Sequence, residues 1–238
     1  MSSTAQGSTA QGVRARARIE VTAAIKDAAR AQLAAEGAAK LSLRAVAREL
    51  GMASSALYRY FPSRDDLLTA LIIDAYNSLG EAAEAAHDAV ADAGHTRRWT
   101  AVCEAVRTWA LAHPHEYALI YGSPVPGYSA PTDTVPAASR VAYVFMGIVR
   151  DAYRGPGLAN PPLPAELRPE AHRMAADLAP DLPPETVTAF VAAWAELFGL
   201  VGFEVFGQFN RVVEDREAFF RHAAERLAHA VGLVFPSG

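Results

Sequence analysis

The sequence contains a single cysteine, Cys103, and none of the short motifs that mark common catalytic or nucleotide-binding sites. A lone cysteine excludes an intramolecular disulfide and fits a reducing compartment, so a cytoplasmic location is expected. No G-x-G-x-x-G, P-loop, G-x-S-x-G or H-E-x-x-H stretch occurs, which removes the usual phosphate cradles, the hydrolase elbow and the zinc-protease helix. Strict apolar–polar alternation and clusters of β-branched residues are missing too, so nothing argues for a sheet. Hydrophobic residues make up 51% of the 238 positions and charged ones 20%, enough apolar side chain for a sizeable core.

What is present is alanine-rich and helical in period. Ala, Leu, Glu and Arg recur at three- and four-residue spacing, which points to an all-α protein. Charge is divided unevenly. Residues 1–64 carry ten Arg and Lys against four acids, a net +6, while the remainder carries twelve against twenty-two, a net −10. A basic module on an acidic body fits a protein that docks one end on phosphate. Residues 1–12, which repeat Ser-Thr-Ala-Gln-Gly, are too polar for an export leader and are expected to be a disordered tail.

A first helix is expected over 13–36, with Ile19, Ile25, Ala29 and Leu33 on its apolar stripe and Gly37 as its stop. Ser42 is placed to cap a second helix whose inner face is Leu43, Val46, Ala47 and Leu50. Gly51 supplies a tight turn, and a third helix is expected over 54–61, ended by Pro62. Ser63-Arg64-Asp65-Asp66 has the form of a capping box and opens a long helix to about Val90. Further helices are expected over 97–112, to Tyr121, over 135–153, near 166–178, over 185–207 and over 215–233. Residues 122–136 and 155–184 are rich in proline and read as loops. The segment 185–207 is apolar nearly all round. Glu196 near its middle favours a helix buried between a core and a partner subunit over a bilayer span.

The third helix has two chemically different faces. Leu57 and Phe61, four apart, point inward, while Ser54, Ser55, Tyr58 and Arg59 share the opposite side. Small hydroxyl residues at its start let such a helix sit deep in a DNA major groove, where Ser54 and Ser55 reach base edges or phosphates and Arg59 reads guanine. Tyr58 and Tyr60 have the reach for flanking phosphates, and Arg44 and Arg64 are placed to clamp the backbone.

This order of residues resembles the TetR family of bacterial transcriptional regulators. The resemblance rests on Leu43-x-x-Val46-Ala47-x-x-Leu50-Gly51, on Leu57-Tyr58-Arg59-Tyr60-Phe61 and on Ser63-Arg64-x-x-Leu67-Leu68. Ala53 stands where the family often has a capping serine, which hands the cap to Ser54. Ser55 and Tyr60 stand where glycine and histidine are common. Trp194-Ala195-Glu196-Leu197-Phe198-Gly199 looks like the Trp-His-Gly subclass of C-terminal domains, with Phe198 in place of the histidine.

The resemblance implies a three-helix helix-turn-helix domain over 13–62 and a helical ligand-binding and dimerisation domain over 63–238, about nine to ten helices together. It implies a homodimeric repressor on a pseudo-palindromic double-stranded DNA operator, released by a small apolar or aromatic effector. Ser42, Arg44, Ser54, Ser55, Tyr58, Arg59, Tyr60 and Arg64 are the candidate DNA contacts. Trp99, Trp109, Tyr121, Phe145, Met146 and Trp194 are the candidates for an effector cavity, with Glu104, His113, Tyr121 and Glu196 as polar anchors. Neither a cofactor nor a metal is implied, and no membrane partner.

Two rival readings stand beside this one. His113-x-His115 suggests a metal pair and hence an enzyme, although histidines beside a proline more often end a helix. A helical adaptor or ligand-binding protein without DNA-binding activity is the other, and the Tyr58-Arg59-Tyr60 face argues against it.

Overall fold

The computed structural model describes residues 5–234, with side chains from residue 12 onward. It is all-helical. The eleven α-helices among the described residues are α1 Ala5–Glu36, α2 Leu43–Glu49, α3 Ser54–Leu57, α4 Arg64–Asp88, α5 His95–Ala112, α6 Pro114–Tyr121, α7 Val135–Ala138, α8 Arg140–Tyr153, α9 Arg168–Leu178, α10 Pro184–Val205 and α11 Arg216–Val231. One isolated bridge, Leu158 with Leu233, is the sole β-type pairing among them. Of the tail expected over 1–12, residues 1–4 lie outside the described residues and the rest fall in or beside the start of α1.

The described residues form two compact units, those up to 75 with 118–134, and 76–117 with those from 135 onward. The division falls inside α4, so one continuous helix is shared by both. In the first unit Ile25, Ala29 and Leu33 of α1 are buried, as are Leu43, Val46 and Ala47 of α2, Leu57 of α3, and Leu67, Leu68 and Leu71 of α4. The loop after α6 is tied to this unit where Thr69 Oγ1 and Tyr128 Oη share a hydrogen bond of 2.9 Å. In the second unit α10 packs on α9, α11 and α5, and α5 packs on α8 and α11. Its interior holds Trp99, Val102, Val106, Phe145, Ile148, Phe190, Leu197 and Val201.

Local chemistry sets most boundaries. Ser63 and Asp66 cap α4 reciprocally: the Ser63 amide donates to Asp66 Oδ2 at 2.9 Å, and the Asp66 amide donates to Ser63 Oγ at 3.1 Å. Asp215 caps α11 by accepting from the Ala218 amide at 3.0 Å. Two expected helices are shorter than the sequence pattern. The one expected over 54–61 ends at Leu57, because the chain tightens to Arg59 N–Ala56 O and Tyr60 N–Leu57 O bonds. Phe61 precedes Pro62, and a residue before proline is pushed away from helical dihedrals. The one expected over 135–153 is divided at Ser139, whose hydroxyl donates back to the Val135 carbonyl at 2.9 Å.

Among the described residues α10 alone is long and apolar enough to cross a bilayer. One side of it is buried against α5, α9 and α11, with Glu204 in an ion pair with Arg107, while Val191 and Phe203 stay exposed.

Candidate nucleic-acid interface

The candidate interface is built on the α2–turn–α3 segment. Ser42 caps α2 in extended conformation, with its Oγ accepting from the Ala45 amide at 3.4 Å and its own amide donating to Gln32 Oε1 at 3.1 Å. At the other end Gly51 takes a left-handed φ of 63°. Its amide donates to the Arg48 carbonyl at 3.2 Å, and the Met52 amide donates to that of Ala47 at 2.8 Å. This is a Schellman closure, and a side chain at the left-handed position would strain it. The turn aims α3, and buried Leu57 and Phe61 anchor it from below.

Anchoring from one side leaves the other side free. Ser54, Ser55, Tyr58 and Arg59 are exposed, Tyr58 by 42%, and Arg44 on α2 is exposed as well. The N-cap of α3 is Ala53, with no side-chain cap bond, so the expected transfer of the cap to Ser54 does not occur. Its hydroxyl stays uncommitted. Tyr60 is half-buried, and the Arg18 guanidinium carbon lies 5.3 Å from its ring centroid. Arg64 departs from the outward set. Its Nη2 donates to the carbonyls of Ala38 at 2.9 Å and Ala39 at 3.3 Å, closing the short turn after α1. Ser42 is likewise half-buried and engaged as a cap.

In the second unit the aromatic candidates separate into groups. Trp99, Phe145 and Trp194 meet in one cluster with Phe190 and Phe198: Trp99 and Phe145 centroids lie 4.4 Å apart, and Trp194 and Phe198 4.6 Å apart. Met146 is buried beside Phe145 in sequence. Trp109 stands apart, stacked on His113 at 5.0 Å and donating from Nε1 to Ser78 Oγ at 2.9 Å. Tyr121 is half-buried and belongs to the other unit. The polar anchors do not converge either. Glu104 pairs with Arg97 at 3.5 Å and Arg221 at 3.8 Å near the surface, and Glu196 is exposed. Burial pushes the Cys103 thiol well up, away from the thiolate a nucleophile needs.

Long-range polar contacts escaped the sequence reading. Arg107 donates from Nε and Nη2 to the two oxygens of Glu204, each at 2.6 Å, and this bond pushes its guanidinium pKa up. Arg140 donates to both oxygens of Glu84, at 2.9 and 2.7 Å, and to the Asn77 carbonyl at 3.0 Å. Buried Tyr117 donates to the Phe198 carbonyl at 2.8 Å, and burial raises its pKa. These partners are far apart in sequence, and no local pattern announces them. A groove of about 480 Å³ runs between α10 and α11, lined by Gly199, Leu200, Phe203, Phe209, Phe219 and Ala223 among others. Phe203 is 54% exposed and Phe219 40%.

Known proteins share this geometry. Residues 25–71 match a family model described as "Bacterial regulatory proteins, tetR family", and residues 99–227 match one described as "Tetracyclin repressor-like, C-terminal domain". The chain is 40% identical over 205 residues to the HTH-type transcriptional regulator Rv1816 of Mycobacterium tuberculosis, covering 84% of this chain and 86% of that protein. It is similar to the solved structure of SCO4313, at 36% identity and a TM-score of 0.71 over 90% of this chain and 98% of the other. A tetR-family regulatory protein from Rhodococcus RHA1 shares the fold, with a TM-score of 0.62 at 18% identity over 90% and 98% of the two chains.

Proposed function

Because this chain belongs to the TetR family of bacterial transcriptional regulators, we propose that it acts as a repressor, a homodimer that binds a pseudo-palindromic operator and is released by a small apolar or aromatic effector. The observation that carries the DNA contact is the free face of α3. Ser54, Ser55, Tyr58 and Arg59 are exposed, and no hydrogen bond or ion pair engages their side chains among the described residues. Groups held out of intramolecular bonds on an anchored helix are ready to replace water at base edges and phosphates. Arg44 and Tyr60 flank this face as phosphate contacts. Arg64 and Ser42 act indirectly, by fixing the turn after α1 and the start of α2.

The groove between α10 and α11 supports the dimer. An exposed aromatic strip of this kind is stable in water when a second copy of the same surface covers it. The cluster of Trp99, Phe145, Phe190, Trp194 and Phe198 supports an apolar or aromatic effector, since such sites are lined mainly by apolar side chains. An effector that prefers one arrangement of the dimer weakens DNA binding by linkage, typically by about 1–3 kcal/mol. On this reading the functional halves are 13–62 and 63–238, the protein works in the cytoplasm, and α4 carries the change.

Selection of duplexes from a random pool tests the reading. The wild-type chain is expected to enrich an inverted repeat. Tyr58→Ala and Arg59→Ala, both at exposed positions, are expected to keep the fold by circular dichroism and each to lose about 1–3 kcal/mol of affinity for the enriched site. Retention of full affinity by both variants would favour the adaptor reading.

A further inference from the structure

We propose that the N-terminal part of α1 is a second DNA-contacting surface, a basic arm that grips backbone phosphates beside the half-site faced by α3. The inference rests on the DNA-binding reading above and extends it beyond the helix-turn-helix. Arg14, Arg16 and Arg18 lie N-terminal to residues 25–71, the span shared with the family's DNA-binding module.

The packing of α1 changes along its length. From Ile25 onward its apolar side is buried, whereas residues 12–20 are all exposed, with Val13 and Ile19 each 69% exposed. This stretch gains little from the core. Its charges are also unbalanced, since Glu20 is the sole acid among residues 12–24. Arg14 and Arg18 stand four apart on one side of the helix, where like charges destabilise it. Among the described residues no carboxylate pairs with Arg14, Arg16 or Arg18. A polyanion relieves that repulsion and supplies the missing partners.

The position of the arm selects the polyanion. Arg18 lies over the ring of Tyr60, two positions after Tyr58 at the candidate reading face. A surface that stacks on the flank of the reading element is brought to the duplex whenever that element docks. From Arg18 one further turn carries the chain about 5–6 Å along the helix to Arg14. The side chain of Arg14 therefore extends the basic track past the helix-turn-helix, along the phosphates next to the half-site, whereas Arg16 projects from another side of the helix. Contacts of this kind add affinity and register and carry no base information of their own.

The test measures salt dependence with the full-length chain and a fluorescein-labelled mixed-sequence duplex, by anisotropy between roughly 50 and 200 mM salt. Removing one phosphate-neutralising charge is expected to make the slope of log affinity against log salt shallower by about 0.9. Arg14→Ala is therefore expected to flatten the slope by about 0.9 per bound chain, with unchanged helicity and melting temperature. Arg14→Lys, which keeps the charge, is expected to retain the wild-type slope. An alanine variant that matches wild type at every salt concentration overturns the arm and leaves the α3 reading intact. If the wild-type chain binds no duplex even at the lowest salt, the DNA-binding reading falls and takes the arm with it.

Discussion

Glu204 keeps 5% of its side chain exposed, and its two oxygens receive both donors of the Arg107 fork. A buried pair of this geometry contributes little over an apolar pair of the same size, but breaking it strands a charge. Glu204→Leu is expected to cost about 3–5 kcal/mol in urea unfolding, whereas Arg107→Met/Glu204→Leu is expected to recover most of that loss. Equal losses in the single and double variants would show that the two side chains are not coupled. Glu84 behaves differently because it is nearer to water. The hydrogen bond from Arg140 holds its carboxyl below the ordinary glutamate value. Its stabilisation is therefore full above about pH 4.3, the unfolded value, and is lost as pH falls through the lower folded value. Melting temperature is expected to drop through that acid window, and Glu84→Gln is expected to flatten the drop.

The approach of α8 to α4 is set by Gly80. A Cβ there would lie 2.8 Å from the Cβ of Arg140, an atom fixed to the backbone that cannot swing aside. Gly80→Ala would gain about 1 kcal/mol of helix propensity but faces an overpacking cost of about 1–3 kcal/mol. Net destabilisation is expected in a thermal melt, together with weakening of the Arg140–Glu84 pair. The sequence announced α4 through its Ser63–Asp66 capping box, and α2 through Ser42 and Gly51, because capping and left-handed turns are written in adjacent residues. It did not announce the short α3, where three-residue bonds at Arg59 and Tyr60 interrupt the four-residue ones before Pro62. Nor did it reveal that Arg64 faces the carbonyls of Ala38 and Ala39, because that depends on how the end of α1 meets the start of α4. The outward face of α3 was legible from period alone, since Leu57 and Phe61 fix which side is inside. The aromatic cluster was legible in composition but not in membership: Trp99 and Trp194 share neighbours, and Trp109 does not.

At the scale of the molecule, residues 1–64 carry a net +6 and the rest a net −10, so the two parts of the chain differ in sign. The basic part carries the free α3 face and the exposed arginines of α1, and attracts DNA over distances comparable to the Debye length, about 8–10 Å at physiological salt. The other unit carries the aromatic groove on α10 and α11, and in its interior the buried cluster around Trp99. The proposed dimer would present two α3 faces to one duplex. DNase I footprinting of the purified chain, on duplexes recovered from the random pool at low salt, reads that arrangement out. A protected inverted repeat is expected, with half-site centres about one helical turn apart, roughly 34–36 Å, or a multiple of that spacing. Protection of a single unrepeated half-site, or no protection at any protein concentration, would contradict the paired docking of α3.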